Sequence, residues 1–167
     1  MPAEPELIDL LDDTGRPTGI RKSKPEVHRD GDLHLAVHIW IVTPDGRILI
    51  QRRADTKENY PGLWDVSVAG HVSAGDSAVE AGIREAFEEL GLLLEPAEFE
   101  HLRTERESCI LNGGTYLDNE IHEIYRVRRE IDLTRLRLDP AEVADVALVR
   151  SFEGRAMVPH VTEFAAL

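Results

Sequence analysis

The chain has 167 residues, of which 42% are hydrophobic and 31% charged, and its formal net charge is −13. The length predicts a single domain over residues 1–167 and the composition a soluble globular one. The acidic balance argues against bulk nucleic-acid or anionic-membrane binding, so a small anionic partner would need metal ions or a local basic patch to be held. Cys109 is the only cysteine, which excludes an intrachain disulfide and a thiolate metal cluster. No secretory apolar segment opens the chain and no apolar run is long enough to span a membrane, which predicts a cytoplasmic protein.

In chain order, Glu6–Asp12 reads as a strand, turned by Asp13-Thr14-Gly15, and the polar stretch Lys22–Asp32 reads as a loop. Leu33–Val42 alternates, with Leu33, Leu35, Val37, Ile39 and Ile41 on one face and His34, Ala36, His38 and Trp40 on the other. Pro44-Asp45-Gly46 turns this strand into a second, Arg47–Gln51. A basic loop, Arg52-Arg53 through Lys57, leads to Tyr60-Pro61-Gly62-Leu63-Trp64 and another short strand. A helix is predicted from about Ser77 to Leu90: Ser77 and Glu80 form a capping-box signature, and Gly91 stops it. Val79, Ile83, Ala86, Phe87 and Leu90 make its apolar stripe, which Gly82 interrupts at a cost of roughly 1 kcal/mol relative to Ala. Two long strands follow, Phe99–Leu111 and Thr115–Val127, joined at Asn112-Gly113-Gly114. From Pro140 the tail suggests one more strand and one or two short helices. Strands outnumber scattered helices, which indicates an α+β sandwich.

On the predicted helix, Glu85, Glu88 and Glu89 fall together, away from the apolar stripe, because positions i, i+3 and i+4 are neighbours. An acidic helical face is commonly just solvated. Three like charges at this spacing nevertheless cost the helix stability, and a hard cation between them would offset that cost.

From Gly70 the chain reads GHVSAGDSAVEAGIREAFEELGL. This resembles the Nudix box, G-x5-E-x7-R-E-U-x-E-E-x-G-U with U aliphatic. Gly70, Arg84, Glu85, Glu88, Glu89, Gly91 and Leu92 fall in register, while Asp76 stands in place of the first Glu and Ala86 at a position usually filled by a larger aliphatic residue. The resemblance implies a Nudix-type α/β/α sandwich with a mixed central sheet. It also implies metal-assisted attack of water on a diphosphate, with Mg²⁺ or Mn²⁺ held by Glu85, Glu88 and Glu89 and by the Gly70 carbonyl. Arg84 would position the glutamates.

Over Leu7 to Tyr125 the chain further resembles the type I isopentenyl diphosphate isomerases and their hydrolase-like relatives. Its marks are Gly15-x-Pro17-Thr18-Gly19, VHRDGDLHLAVHIW, ILIQRR, YPGLWD and Asn119-Glu120. That resemblance implies a second divalent metal, a transition metal, on His28, His34, His71, Asp118 and Glu120, with Asp118 one methylene shorter than the usual Glu. It implies diphosphate binding by Arg53 and Lys57, and a proton-transfer role for Glu120. The ordinary readings are a solvated basic loop and hydrogen-bonded histidines, and His38 and His122 are left as structural. Trp64 is expected in the core rather than as a stacking platform.

The isomerase thiol position is occupied by Ala69, the nearest match to a supporting Pro-Trp pair is Pro159-His160, and Cys109 reads as a small buried hydrophobe. A lost thiol and a complete glutamate triad favour hydrolysis of a nucleoside diphosphate derivative or other small organic diphosphate over isomerisation. A non-catalytic diphosphate sensor is the third reading, disfavoured by the intact triad. Substrate choice is expected in loops such as Arg106–Thr115.

Overall fold

The computed structural model describes residues 4–161. The N-terminal hairpin pairs β1 (Leu7–Leu11) with β2 (Pro17–Ser23). A short helix follows, α1 (Lys24–Asp30), where a loop was expected. Its signals are local. Ser23 and Glu26 cap its start with Pro25 in the first turn, and Gly31 ends it. The seven-residue span is too short to show apolar periodicity, which is why polarity alone misreads it.

Seven strands form the main sheet: β3 (His34–Val42), β4 (Ile48–Arg53), β5 (Trp64–Asp65), β6 (Val68–His71), β7 (Glu100–Leu111), β8 (Tyr116–Arg128) and β9 (Val143–Val149). The sheet is mixed, because β3 and β8 run parallel through nine registered pairs, from His34 opposite Glu120 to Val42 opposite Arg128. The other edge of β3 is shared. β6 pairs with Ala36–Ile39 and β4 with Ile41 and Val42. The sheet therefore opens between β4 and β6. Ser67 spans the opening, accepting from the Ile41 amide at 2.8 Å and donating to the Leu49 carbonyl.

The alternation predicted for β3 holds, and both of its faces are covered. Val37, Ile39 and Ile41 pack beneath α2 (Ala78–Leu90) with Leu49, Val68 and Leu90. Trp40 joins Ile50, Val66, Val158 and Val161 on the opposite face, where Phe152 and Met157 of the carboxyl-terminal strap close the layer. Trp64 packs at the margin of that cluster with Arg155 over its ring, so its core assignment stands.

Helix α2 begins and ends as predicted: the Ser77 hydroxyl accepts from the Glu80 amide and Gly91 is the left-handed cap. Its buried face is turned from the expected stripe. Ala78, Ala81, Gly82, Ala86, Glu89 and Leu90 are buried, whereas Phe87 is 47% exposed. Gly82 is the reason. A Cβ there would lie 2.8 Å from Ile39 Cδ1 and 3.0 Å from Phe99 Cε1, so the helix backbone rests directly on β3. The expected Arg106–Thr115 loop is instead the end of β7 and a tight turn at Asn112–Gly114. Among the described residues no helix is long and apolar enough to cross a membrane.

Candidate active site and metal centre

A cavity of about 590 Å³ lies where the sheet opens, walled by the acidic side of α2, the ends of β3, β6, β7 and β8, and the loop after β4. The arrangement of α2 against β6 sets one wall. Glu85 folds over Gly70 so closely that a Cβ at Gly70 would fall 2.4 Å from Glu85 Cδ. Arg84 fixes the pair, donating to Asp76 Oδ2 at 2.6 Å, to the His71 carbonyl at 3.2 Å and to Glu85 Oε1 at 3.4 Å. The Asp76 departure from the box thus retains a carboxylate for this arginine.

The three glutamates differ in setting. Glu88 is exposed, Glu85 half-buried and Glu89 buried at 7% exposure, which corrects the expectation that Glu89 lies wholly off the packed face. Glu89 Oε2 accepts from Gln51 Nε2 at 2.9 Å. Burial, only partly offset by that donor and aggravated by Glu85, holds the Glu89 carboxyl well above the usual range. Burial likewise lifts Glu85 to about 7, with Arg84 opposing and Glu88 adding to the shift. Buried carboxylates crowded in this way suit a divalent cation, which would return them to the ionised form.

A second set of donors meets across the cavity. His28 comes from α1, His34 from β3, His71 from β6 and Glu120 from β8, and one ligand atom of each lies within 4.8 Å of the others. The parallel register that sets His34 opposite Glu120, and the antiparallel one that sets His71 opposite Ala36, bring these positions together. His34 Nδ1 donates to the Asp32 carbonyl at 2.9 Å, which fixes the ring so that its buried Nε2 is turned toward Glu120. His28 Nε2 and His71 Nε2 stand 3.1 Å apart, and Glu120 Oε1 lies 3.1 Å from His71 Nε2 and 3.2 Å from His34 Nε2. Asp118 adjoins this group rather than entering it: its Oδ1 is 3.5 Å from the other nitrogen of His28 and is itself unpartnered.

The electrostatics of this group follow from burial and contact. Burial and the neighbouring imidazoles depress His28 to about 3, and burial also lowers His71. For His34 burial is outweighed by Glu120, and the net shift is upward. Glu120 itself is held well below the usual range, because bonds from His122, His34 and His71 overcome its burial. Burial and the adjacent Glu120 lift Asp118 to about 7. The depressed imidazoles of His28 and His71 and the buried His34, gathered beside an ionised carboxylate, offer the mixed nitrogen and oxygen donor set that a transition metal takes.

Arg53 and Lys57 both line the cavity, each with an acidic partner. Arg53 donates to the Asn59 carbonyl at 3.0 Å and to Asp65 Oδ2 at 3.1 Å, and Lys57 pairs with Glu142. Residues read as structural also enter the cavity. His38 and His122 lie against each other in its floor, tilted by 32° with ring centroids 4.1 Å apart, and His122 Nε2 meets Glu120 Oε2 at 2.7 Å. Asp65 and His160 were not singled out as site residues, and both face the cavity. The β3 alternation did carry part of the signal, since His34, Ala36 and His38 share one face. Cys109 is half-buried in the cavity wall, directly across the β7–β8 ladder from Asp118, and not a core residue.

A mixed sheet capped by α2, with an acidic helical wall on the cavity, is the sandwich that the Nudix resemblance implies. The model of the NUDIX domain matches residues 32–156. The chain is 42% identical over 147 residues to Nudix hydrolase 3 of Arabidopsis thaliana, covering 86% of this chain and 19% of that protein. It is 30% identical over 146 residues to an isopentenyl-diphosphate Delta-isomerase of Cutibacterium acnes, covering 86% and 73% respectively. A solved structure of DR0079 from Deinococcus radiodurans superposes with a TM-score of 0.68 at 20% identity, over 91% of this chain and 92% of that one. The chain belongs to the NUDIX domain family, whose members similar to this chain include proteins named as hydrolases.

Proposed function

We propose that the chain is a cytoplasmic, Mg²⁺- or Mn²⁺-dependent Nudix hydrolase that cleaves a diphosphate linkage in a nucleoside diphosphate derivative or another small organic diphosphate. One observation carries this reading: Glu85, Glu88 and Glu89 line the same cavity as Arg53 and Lys57, with Glu85 and Glu89 too buried to be a solvated acidic face. Glu85, Glu88 and Glu89, with the Gly70 carbonyl, would hold the catalytic cation. When bound, that ion supplies charge neutralisation on the non-bridging oxygens and an activated water.

The chain's own side chains do the rest. Arg84, anchored on Asp76 and the His71 carbonyl, keeps Glu85 over Gly70. Arg53 and Lys57 bind the diphosphate oxygens, for which Lys57 would exchange Glu142 for substrate. His28, His34, His71 and Glu120 would hold a second, transition-metal ion with Asp118 beside it, and Glu120 would take part in proton transfer with His122 at 2.7 Å. A panel of nucleotide and prenyl diphosphates with Mg²⁺ or Mn²⁺, scored by chromatography for released monophosphate esters as well as inorganic phosphate, tests this. Metal-dependent release from at least one is expected, and no release from any would overturn the reading.

A further inference from the structure

The carboxyl-terminal strap delivers one more group to the cavity. Its backbone is stitched to β5: the Trp64 amide donates to the Ala156 carbonyl at 2.9 Å and the Val158 amide to the Trp64 carbonyl at 2.8 Å. Val158 and Val161 are buried on either side of His160, so core packing sets where this imidazole lies. His160 Nε2 donates to Asp65 Oδ1 at 2.8 Å, and Asp65 is 1% exposed. Asp65 already accepts from Arg53 and from the Val66 amide, so its burial does not depend on the histidine. The other ring nitrogen, Nδ1, makes no hydrogen bond among the described residues, and the ring borders the cavity.

We propose that His160, clamped by Asp65, is a substrate-binding residue that donates from Nδ1 to a phosphoryl oxygen of the bound diphosphate. The assignment rests on the diphosphate reading above and adds to it a residue from a part of the chain that the Nudix box does not reach. One buried carboxylate orients two cationic donors, Arg53 and His160, at the same cavity. The remaining walls are rich in carboxylates that a phosphate would avoid, Glu88 and Glu107 among them. An anion reaching past the metal-binding wall thus finds its complementary charge beside Asp65.

Around the ring stand Asp65 from β5, His38 from β3 at 4.8 Å between centroids, His122 and Glu120 from β8, and Glu107 from β7. Burial works against the charged ring, but Asp65, Glu107 and Glu120 outweigh it and raise His160, which favours the doubly protonated form that an Asp–imidazolium–phosphate arrangement requires.

The test is calorimetric titration of the full chain with inorganic pyrophosphate in the presence of Mg²⁺, for wild type, His160→Ala and His160→Gln. Gln keeps the strap filled should the smaller side chain disturb folding. Loss of one charge-assisted hydrogen bond predicts a Kd about tenfold higher in both variants. On any diphosphate that is turned over, KM should rise by the same factor, with kcat within about threefold, whereas a purely structural role would lower thermal stability without this split. A folded variant that binds pyrophosphate as tightly as wild type overturns the assignment, as does a wild type that does not bind it. If pyrophosphate binding weakens in the variants yet wild type hydrolyses no diphosphate, the His160 assignment stands and the hydrolase reading falls.

Discussion

Glu89 concentrates the conflict between folding and function at a single side chain. It occupies a buried position on the helix, where its carboxylate is costly, and it is retained with one neutral donor, Gln51. An acid whose folded pKa lies above its unfolded value binds more protons folded than unfolded, so stability is lost as pH rises from the unfolded value toward the folded one. For Glu85 that window runs from 4.5 to about 7, and for Glu89 it begins at 4.5 and extends well beyond the usual carboxylate range. Glu89→Gln, which keeps the volume and an oxygen acceptor for Gln51, should therefore raise Tm in chelator, by a margin that widens from about pH 5 to pH 8. The same variant should lose at least about a hundredfold in metal-dependent kcat. Melting curves across pH, with and without Mg²⁺, check the first expectation and steady-state assays the second. A variant that is less stable than wild type in chelator at pH 8, or that turns over normally, would contradict the reading of this residue.

At the scale of elements, α2 shows what periodicity delivers and what it omits. Its limits, caps and glutamate spacing are legible because each depends on neighbours three or four residues away. Which face is buried is not legible, because that is decided by a backbone approach to β3 at Gly82, a feature with no side chain to betray it. Helix propensity alone predicts that Gly82→Ala gains about 1 kcal/mol, whereas overpacking against Ile39 and Phe99 predicts a loss of about 1–3 kcal/mol. Packing should win, because Ile39 is fully buried, and Tm should fall. A higher Tm would show that the helix lifts freely from the sheet. The same limit applies to the histidine site. His28, His34, His71 and Glu120 are grouped in the sequence only through the isomerase resemblance; their spacing alone does not join them, and it is strand register and the unforeseen α1 that carry them into one place. Because α1, β3, β6 and β8 each contribute one donor, a transition metal there should tie α1 to the sheet. Mn²⁺ or Zn²⁺ should raise wild-type Tm by several degrees, and His71→Ala should lose most of that rise and most of the metal found by elemental analysis. An unchanged metal content in His71→Ala would exclude the site.

For the molecule as a whole, the question is which chemistry a shared scaffold performs, since relatives include proteins named for hydrolysis and for isomerisation. The net charge of −13 and a cavity lined by Glu85, Glu88, Glu89, Glu107 and Glu120 make a bound cation a precondition for holding any diphosphate. Isomerisation adds a separate demand, a carbon acid or base aimed at an unactivated carbon from each face of the allylic group. The β3–β6 register places Ala69, a methyl group, opposite His38 on the cavity floor where the resemblance expects the thiol. The cavity does contain the chain's one thiol, but it belongs to Cys109 on β7, opposite Asp118, where burial and the nearby carboxylate push it upward and away from thiolate. Isopentenyl diphosphate incubated with the wild-type chain and Mg²⁺ should therefore give no dimethylallyl diphosphate, and Ala69→Cys should restore little or none, because Glu85 still sets a carboxylate over Gly70, next to the restored thiol. Chromatography of the products decides the matter. Rearranged product from wild type that vanishes in Cys109→Ser would make the β7 thiol the missing acid and replace hydrolysis with isomerisation. Rearranged product that survives in Cys109→Ser would mean that Glu120 and the histidines around it move both protons without sulfur.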